Sequence, residues 1–205
     1  MRTPETAQRS PAAQRVVDAA MTLFAERGYA ATTVADIERA AGLTPRASGM
    51  YRHFGSKQAV LEAGIADEVR QMQALHAIDD AEAKHLLLRD WVTLIGRVGL
   101  VQLANQRALI RVLYRDLEVF PDLLEAVKEG LIRSGYRDFA GRLRARQERG
   151  EVRAGLDVDV AAALAVGALV NHGVLVATLG EPPAGVDEDR LLAGWVDMVE
   201  RMVAP

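Results

Sequence analysis

The most constraining stretch of this 205-residue chain runs from Thr32 to Lys57, TTVADIERAAGLTPRASGMYRHFGSK. Within it one helix is stopped and another started inside a few residues. Thr33 followed by Asp36 is a capping-box-like start, with a hydroxyl able to accept an orphan N–H of the first turn. Val34, Ile37 and Ala41 then recur at helical spacing on one face. Gly42 stops that helix, because only glycine enters the left-handed conformation there without steric cost. Leu43 is expected to pack inward, Thr44 to cap a second helix and Pro45 to take its first position. Helix, glycine turn, helix is the outline of a DNA-binding helix-turn-helix.

The remainder reads as all-α. A first helix is expected over about Ala12–Arg27, with Val16, Ala19, Ala20, Leu23 and Phe24 as its apolar stripe and Gly28 at its end. From Ser56 a long helix runs to about Ala77, with Val60, Leu61, Gly64, Ile65, Glu68, Val69, Met72 and Leu75 along one side. Asp79 and Asp80 are expected to interrupt it and to cap a helix over about Ala81–Leu103, striped by Leu87, Trp91, Leu94, Ile95, Val98 and Val101. Further helices are expected over Asn105 to about Leu117, from Pro121 to near Gly150, after Asp157, and after Asp187 or Asp189. No run shows the period-two alternation of a strand. Three regions follow: a disordered polar arm over 1–11, a helix-turn-helix domain over 12–57, and a helical regulatory and dimerisation domain over 58–205.

A net charge of −3 argues against a nucleic-acid binder, but its distribution argues otherwise. Residues 1–60 hold eight Arg/Lys against five Asp/Glu, whereas residues 61–205 hold seventeen against twenty-three. A locally basic unit on an acidic body fits a DNA reader attached to a domain with another task. Arg2 and Arg9 of the polar arm either touch DNA or belong to a plain tail. The absence of cysteine excludes disulfides and thiolate chemistry and suits a reducing cytoplasm. The N-terminus shows no apolar signal-peptide core.

Ala161 to Leu179 carries no charge, and its nineteen residues nearly reach the length of a membrane span. Against that reading stand Asn171 and His172 at mid-segment, many Ala and Gly residues, and the lack of flanking positive charge. The other reading is a helix buried on every side within protein. The run RSGYRDFAGRLRARQERGEVR is rich in arginine, but its intervening acids and apolar period favour a solvated helix face over a nucleic-acid patch. Trp195 fits a core position and an interface anchor equally.

VVDAAMTLFAERGYAATTVADIERAAGL followed by YRHFGSKQAVL resembles the DNA-binding region of the tetracycline-repressor (TetR) family of bacterial transcription regulators. The likeness covers about fifty residues, Arg15 to roughly Leu61, and rests on LFAERGY, TTVADI, AAG, the Tyr-x-His-Phe run and the following SK, in that order and spacing. One departure stands out. The family usually places six residues between the turn glycine and the recognition-helix tyrosine; here eight separate Gly42 from Tyr51. The insertion lengthens the recognition helix by about half a turn or bulges its start. Gly49 in its interior either costs helix stability or allows close approach to the DNA backbone.

Side-chain chemistry assigns candidate DNA contacts. Arg46 is the best candidate for base readout, since its planar fork matches guanine O6 and N7. Ser48 suits a base or a phosphate, and Thr33 suits a phosphate at a helix N-terminus. The resemblance implies phosphate contacts for Tyr51, His53 and Lys57; Thr44, Gly49 and Arg52 complete the set. The resemblance also implies a homodimer through the last two helices, a small-molecule effector pocket in the body, and release of a palindromic operator on effector binding. Trp91, Arg111, Tyr114, Asn171 and His172 are candidates to line that pocket. No metal-ligand spacing, phosphate-binding loop, nucleophile elbow or legible catalytic set occurs, and no cofactor is expected. The alternative function is a small-molecule-binding enzyme or carrier built on the helical body.

Overall fold

The computed structural model describes residues 9–45, 49–83, 85–116, 125 and 127–205. Among them every regular element is helical. Helix α1 spans Pro11–Arg27; Ser10 caps it by accepting from Ala13 N at 3.3 Å, and Pro11 takes the first position. Helix α2 spans Val34–Ala40 under a complete capping box of Thr33 and Asp36. Gly42, at φ +72°, turns the chain so that Leu43 N–H returns to Glu38 O at 2.8 Å. A short 3-10 turn, Met50–Arg52, follows. Helix α3, Lys57–Ala83, starts with Ala59 N donating to the Ser56 hydroxyl at 3.0 Å.

The body comprises α4 (Leu88–Asn105), α5 (Arg107–Asp116), α6 (a π turn over Lys128–Arg133 continuing into an α-helix over Ser134–Glu148), α7 (Val158–Leu179) and α8 (Glu188–Val203). Asp157 caps α7 and Asp187 caps α8. One boundary is corrected. Helix α3 continues past Asp79 and Asp80, and α4 starts at Leu88 rather than near Ala81. Neither Gly nor Pro occurs between Ala77 and Ala83, so nothing compels a stop there. Leu87, placed in the apolar stripe of α4 by its spacing, instead precedes the helix and is exposed. The expected helix opening at Pro121 and the side chains of Met72 and Leu75 lie outside the described residues.

Two cores form. The first joins α1, α2, the start of α3 and α5 around Val16, Phe24, Ile37, Met50, Leu61 and Leu109. The second joins α4, α6, α7 and α8 around Trp91, Phe139, Leu143, Ala165, Trp195 and Val199. Trp91 stacks on Phe139 at 5.6 Å, Phe139 lies 6.3 Å from Trp195, and the Trp195 indole N–H donates to Ala165 O at 2.8 Å. Trp195 is therefore a core residue, which settles the first of its two readings. The arginine-rich second half of α6 is a charged face tied by ion pairs, Arg144 with Asp159 at 3.2 Å and Arg149 with Glu151 at 2.6 Å among them. Arg146 differs: its guanidinium is buried over the Trp91 ring and donates to Leu86 O and Glu151.

Helix α7 is long and apolar enough to cross a membrane by length and composition alone, yet it packs against α4, α5, α6 and α8. Ala161, Ala165, Leu169, His172, Gly173 and Ala177 are buried. Val160, Leu164, Asn171 and Thr178 recur on its other face and are exposed.

Candidate nucleic-acid interface

The reading unit is a corner of three helices with one exposed turn. Helix α1 supplies a wall of Val16, Val17, Ala20 and Phe24, against which Ile37 and Ala41 of α2 pack. Arg15 Nε donates to Ala41 O at 3.3 Å and ties the end of α2 to α1. The 3-10 turn is anchored by Met50, which is wholly buried, and by Phe54, which packs half-buried on the same core. His53 N and Phe54 N both donate to Met50 O at 2.9 Å, closing the turn. Tyr51, Arg52 and His53 are left exposed between these two anchors. A phenol, a guanidinium and an imidazole thus share a fixed backbone turn facing solvent, the donor set that suits phosphate and base edges.

Thr44 is exposed and Gly49 half-buried, in right-handed helical backbone. Arg46 and Ser48, the expected base readers, lie outside the described residues. Thr33 is exposed at the start of α2, but its hydroxyl is engaged: it accepts from Asp36 N at 3.2 Å and donates to the Asp36 carboxylate. That carboxylate also takes Thr33 N–H at 3.1 Å. The Thr33 hydroxyl and N–H, followed by Arg39, hold the Asp36 carboxyl below the ordinary aspartate range.

Lys57 is placed where sequence reasoning did not put it. Its ammonium donates to Tyr29 O and Thr32 O, each at 2.7 Å, and lies 4.1 Å from the centroid of the Tyr29 ring. It therefore locks the start of α3 to the loop between α1 and α2. The Tyr29 ring, tilted 5.1 Å from Phe24, completes this corner; burial and then the Glu62 charge push its phenol upward. Arg9, left between a DNA contact and a plain tail by its sequence, is likewise engaged: it pairs with Asp67 of α3 and donates to Ala63 O at 3.2 Å, which ties the arm to α3. Arg2 lies outside the described residues.

Residues 16–63 match the profile of the bacterial regulatory proteins of the tetR family. The chain carries a TetR-family DNA-binding region over those residues. The probable acrEF/envCD operon repressor of Escherichia coli (strain K12) is 29% identical over 198 residues, covering 94% of this chain and 86% of the relative. An uncharacterised HTH-type transcriptional regulator of Bacillus subtilis (strain 168), YvkB, is 27% identical over 119 residues, and that match spans 58% of this chain and 59% of YvkB. Among solved structures, a Saccharomonospora viridis protein assigned as a transcriptional regulator, in complex with choline, superposes with a TM-score of 0.79 at 20% identity over 96% of this chain and 100% of the other. This chain is a DNA-binding transcription regulator.

In the regulator's body the five candidate effector residues do not converge. Trp91 is buried in the aromatic stack. Arg111 is exposed, and its Nε donates to Ala177 O at 2.6 Å. Tyr114 and Asn171 are exposed. His172 alone is buried beside a hollow, which is walled by Leu100, Leu103, Ala104, Gly173 and Val176 and edged by Arg107 and Glu188. Among the described residues its Nε2 has no hydrogen-bond partner, and neither has the buried Nε2 of Gln102. Spacing placed these residues on helices, but which faces meet is a property of helix crossing. Sequence reasoning also missed Glu38. It is only 1% exposed, its carboxylate accepting Met50 N–H at 3.1 Å. A signal existed: Glu38 falls on the same face as Val34, Ile37 and Ala41.

Proposed function

We propose that this chain is a ligand-responsive repressor that binds a palindromic operator as a homodimer in the bacterial cytoplasm. The observation that carries the reading is the exposed Tyr51–His53 turn held between the buried anchors Met50 and Phe54. In this reading Tyr51, Arg52, His53 and Thr33 meet phosphates, and the Thr44–Gly49 segment, with Arg46 and Ser48, meets base edges. Lys57 serves chiefly by fixing the corner from which these groups project. The second copy docks on the uncovered Val160–Leu164–Asn171 face of α7 together with Gly194 and Met198 of α8, which are exposed in the single chain. Small residues there allow close helix approach, and covering the apolar face accounts for the charge-free stretch Ala161–Leu179 in a water-facing position.

Helix α5 supports the coupling. It packs on both α1 and α7. Arg115 reaches Glu26 O at 3.5 Å, and Arg111 reaches Ala177 O at 2.6 Å. An effector in the body that binds one spacing of the two reading heads more tightly than another shifts DNA affinity by that difference. The hollow beside His172 is one candidate point of effector entry among the described residues. The test is selection of bound DNA from genomic fragments, with light scattering of the free protein and its complex. The expected result is an inverted-repeat site occupied by two copies. Failure to enrich any specific site overturns the reading.

A further inference from the structure

We propose that Glu38 is a positioning residue for DNA reading: its buried carboxylate sets the height and rotation of the turn that presents Tyr51, Arg52 and His53. This rests on the reading of that turn as the DNA-facing one. A carboxylate buried among apolar side chains is costly unless hydrogen-bonded. Glu38 shares the inner face of α2 with Ile37 and Ala41, all three buried. A leucine would suit that face by packing alone. The carboxylate instead accepts the N–H of Met50 at 3.1 Å, twelve residues on, at the first position of the 3-10 turn.

The chain comes down tightly on this group. A Cβ added at Gly49 would lie 3.2 Å from Leu43 Cδ1 and 3.7 Å from Glu38 Oε1. Gly49 thus brings the backbone close to the floor made by Leu43 and Glu38, Met50 drops fully into the core, and the next three side chains emerge. The interval from Gly42 to Tyr51 holds two residues more than the family usually has. Loop length in this chain therefore does not by itself dictate where the turn lands. A fixed acceptor on α2 does. Reading heads tolerate displacement poorly, because base and phosphate contacts need groups held to within about half an ångström.

The experiment compares the full-length wild type with Glu38→Gln, Glu38→Asp and Glu38→Leu. Each is measured for affinity to the DNA site selected by the wild type, affinity to random-sequence DNA, and melting temperature. Glu38→Gln keeps an acceptor at the same reach and is expected to stay within about threefold of the wild type on the selected site. Glu38→Asp keeps the charge but withdraws the acceptor by one methylene, and Glu38→Leu removes it. Both are expected to lose about tenfold or more on the selected site while affinity for random DNA moves by less than about threefold. The specificity ratio then collapses without a matching loss of general DNA binding. Equal loss on both DNAs, in step with melting temperature, would show a structural role only and overturn the proposal. So would an aspartate variant that behaves as wild type while the glutamine variant fails, since charge and not reach would then matter. Should Glu38→Leu not fold, the aspartate–glutamine pair still decides between these outcomes. A wild type that selects no site would instead overturn the regulator reading.

Discussion

Lys57→Met tests whether this lysine is a lock of the reading head or a free phosphate contact. Methionine keeps most of the aliphatic stem and removes only the ammonium. The ammonium makes two hydrogen bonds of 2.7 Å to main-chain carbonyls and sits over the Tyr29 ring. Charge-assisted hydrogen bonds are each worth about 1.5–3 kcal/mol when dry, and Lys57 is half-buried, so about 0.5–1 kcal/mol each is appropriate. The ring contact adds about 0.5 kcal/mol at such a site. The expected loss is therefore about 2 kcal/mol, equivalent to a melting point lower by roughly 4–8 °C for a chain of this length. Urea unfolding of the full-length protein measures it directly. DNA affinity should fall for every sequence, because the corner joining α1, α2 and α3 loosens. The salt dependence reports separately on any phosphate contact of the ammonium: if it makes one in the complex, the slope of log K against log salt drops by about 0.9. A stability change below about 0.5 kcal/mol, with DNA affinity still lost, would refute the lock and return Lys57 to a phosphate contact alone.

Thr33→Val removes the hydroxyl that caps α2 and is expected to cost about 1 kcal/mol of stability. The same change should let the Asp36 carboxyl titrate nearer the ordinary aspartate range. Because its folded value is depressed, the stability it contributes is present above the unfolded aspartate value and lost as pH falls through the lower folded value. A carboxyl-detected NMR titration that found Asp36 at the ordinary value in the wild type would contradict this. Gly96→Ala should destabilise by about 1–3 kcal/mol, since the new Cβ would lie 2.7 Å from Leu192 Cδ1 and from the Trp195 ring. Gly135→Ala, which meets nothing within 4 Å, should instead stabilise by about 0.5–1 kcal/mol through helix propensity; calorimetry that ranked the pair the other way would count against the α4–α8 packing described above. Leu164→Glu places a charge on the uncovered face of α7 and should leave the protein at the mass of one chain in light scattering, where the wild type is expected to run at the mass of two. Unchanged mass would exclude that face as the dimer contact.

Local rules decided much of this protein. Ser10, Thr33, Asp157 and Asp187 cap helices because a short polar side chain before an apolar stripe satisfies free N–H groups wherever it occurs. Gly42 turns the chain for a similarly local reason, and the ordered motifs from Leu23 to Lys57 identified the family on their own. The limits were also local in origin. Asp79 and Asp80 looked like a stop, but a helix former sequence continues through them when no glycine or proline intervenes.

Only tertiary structure decided what the charged groups do. Lys57, Arg9 and Glu38 are ordinary ionisable residues in the sequence. Folding brings Lys57 onto the carbonyls of Tyr29 and Thr32, Arg9 onto Asp67, and Glu38 onto Met50 N–H, partners between twelve and fifty-eight residues away. Likewise Trp91, Arg111, Tyr114, Asn171 and His172 occupy helices as expected, yet one is core, three are exposed and one edges a hollow. Periodicity gives the face a residue occupies on its own helix. What that face meets depends on how the helices cross, and crossing is settled by the packing of all of them together.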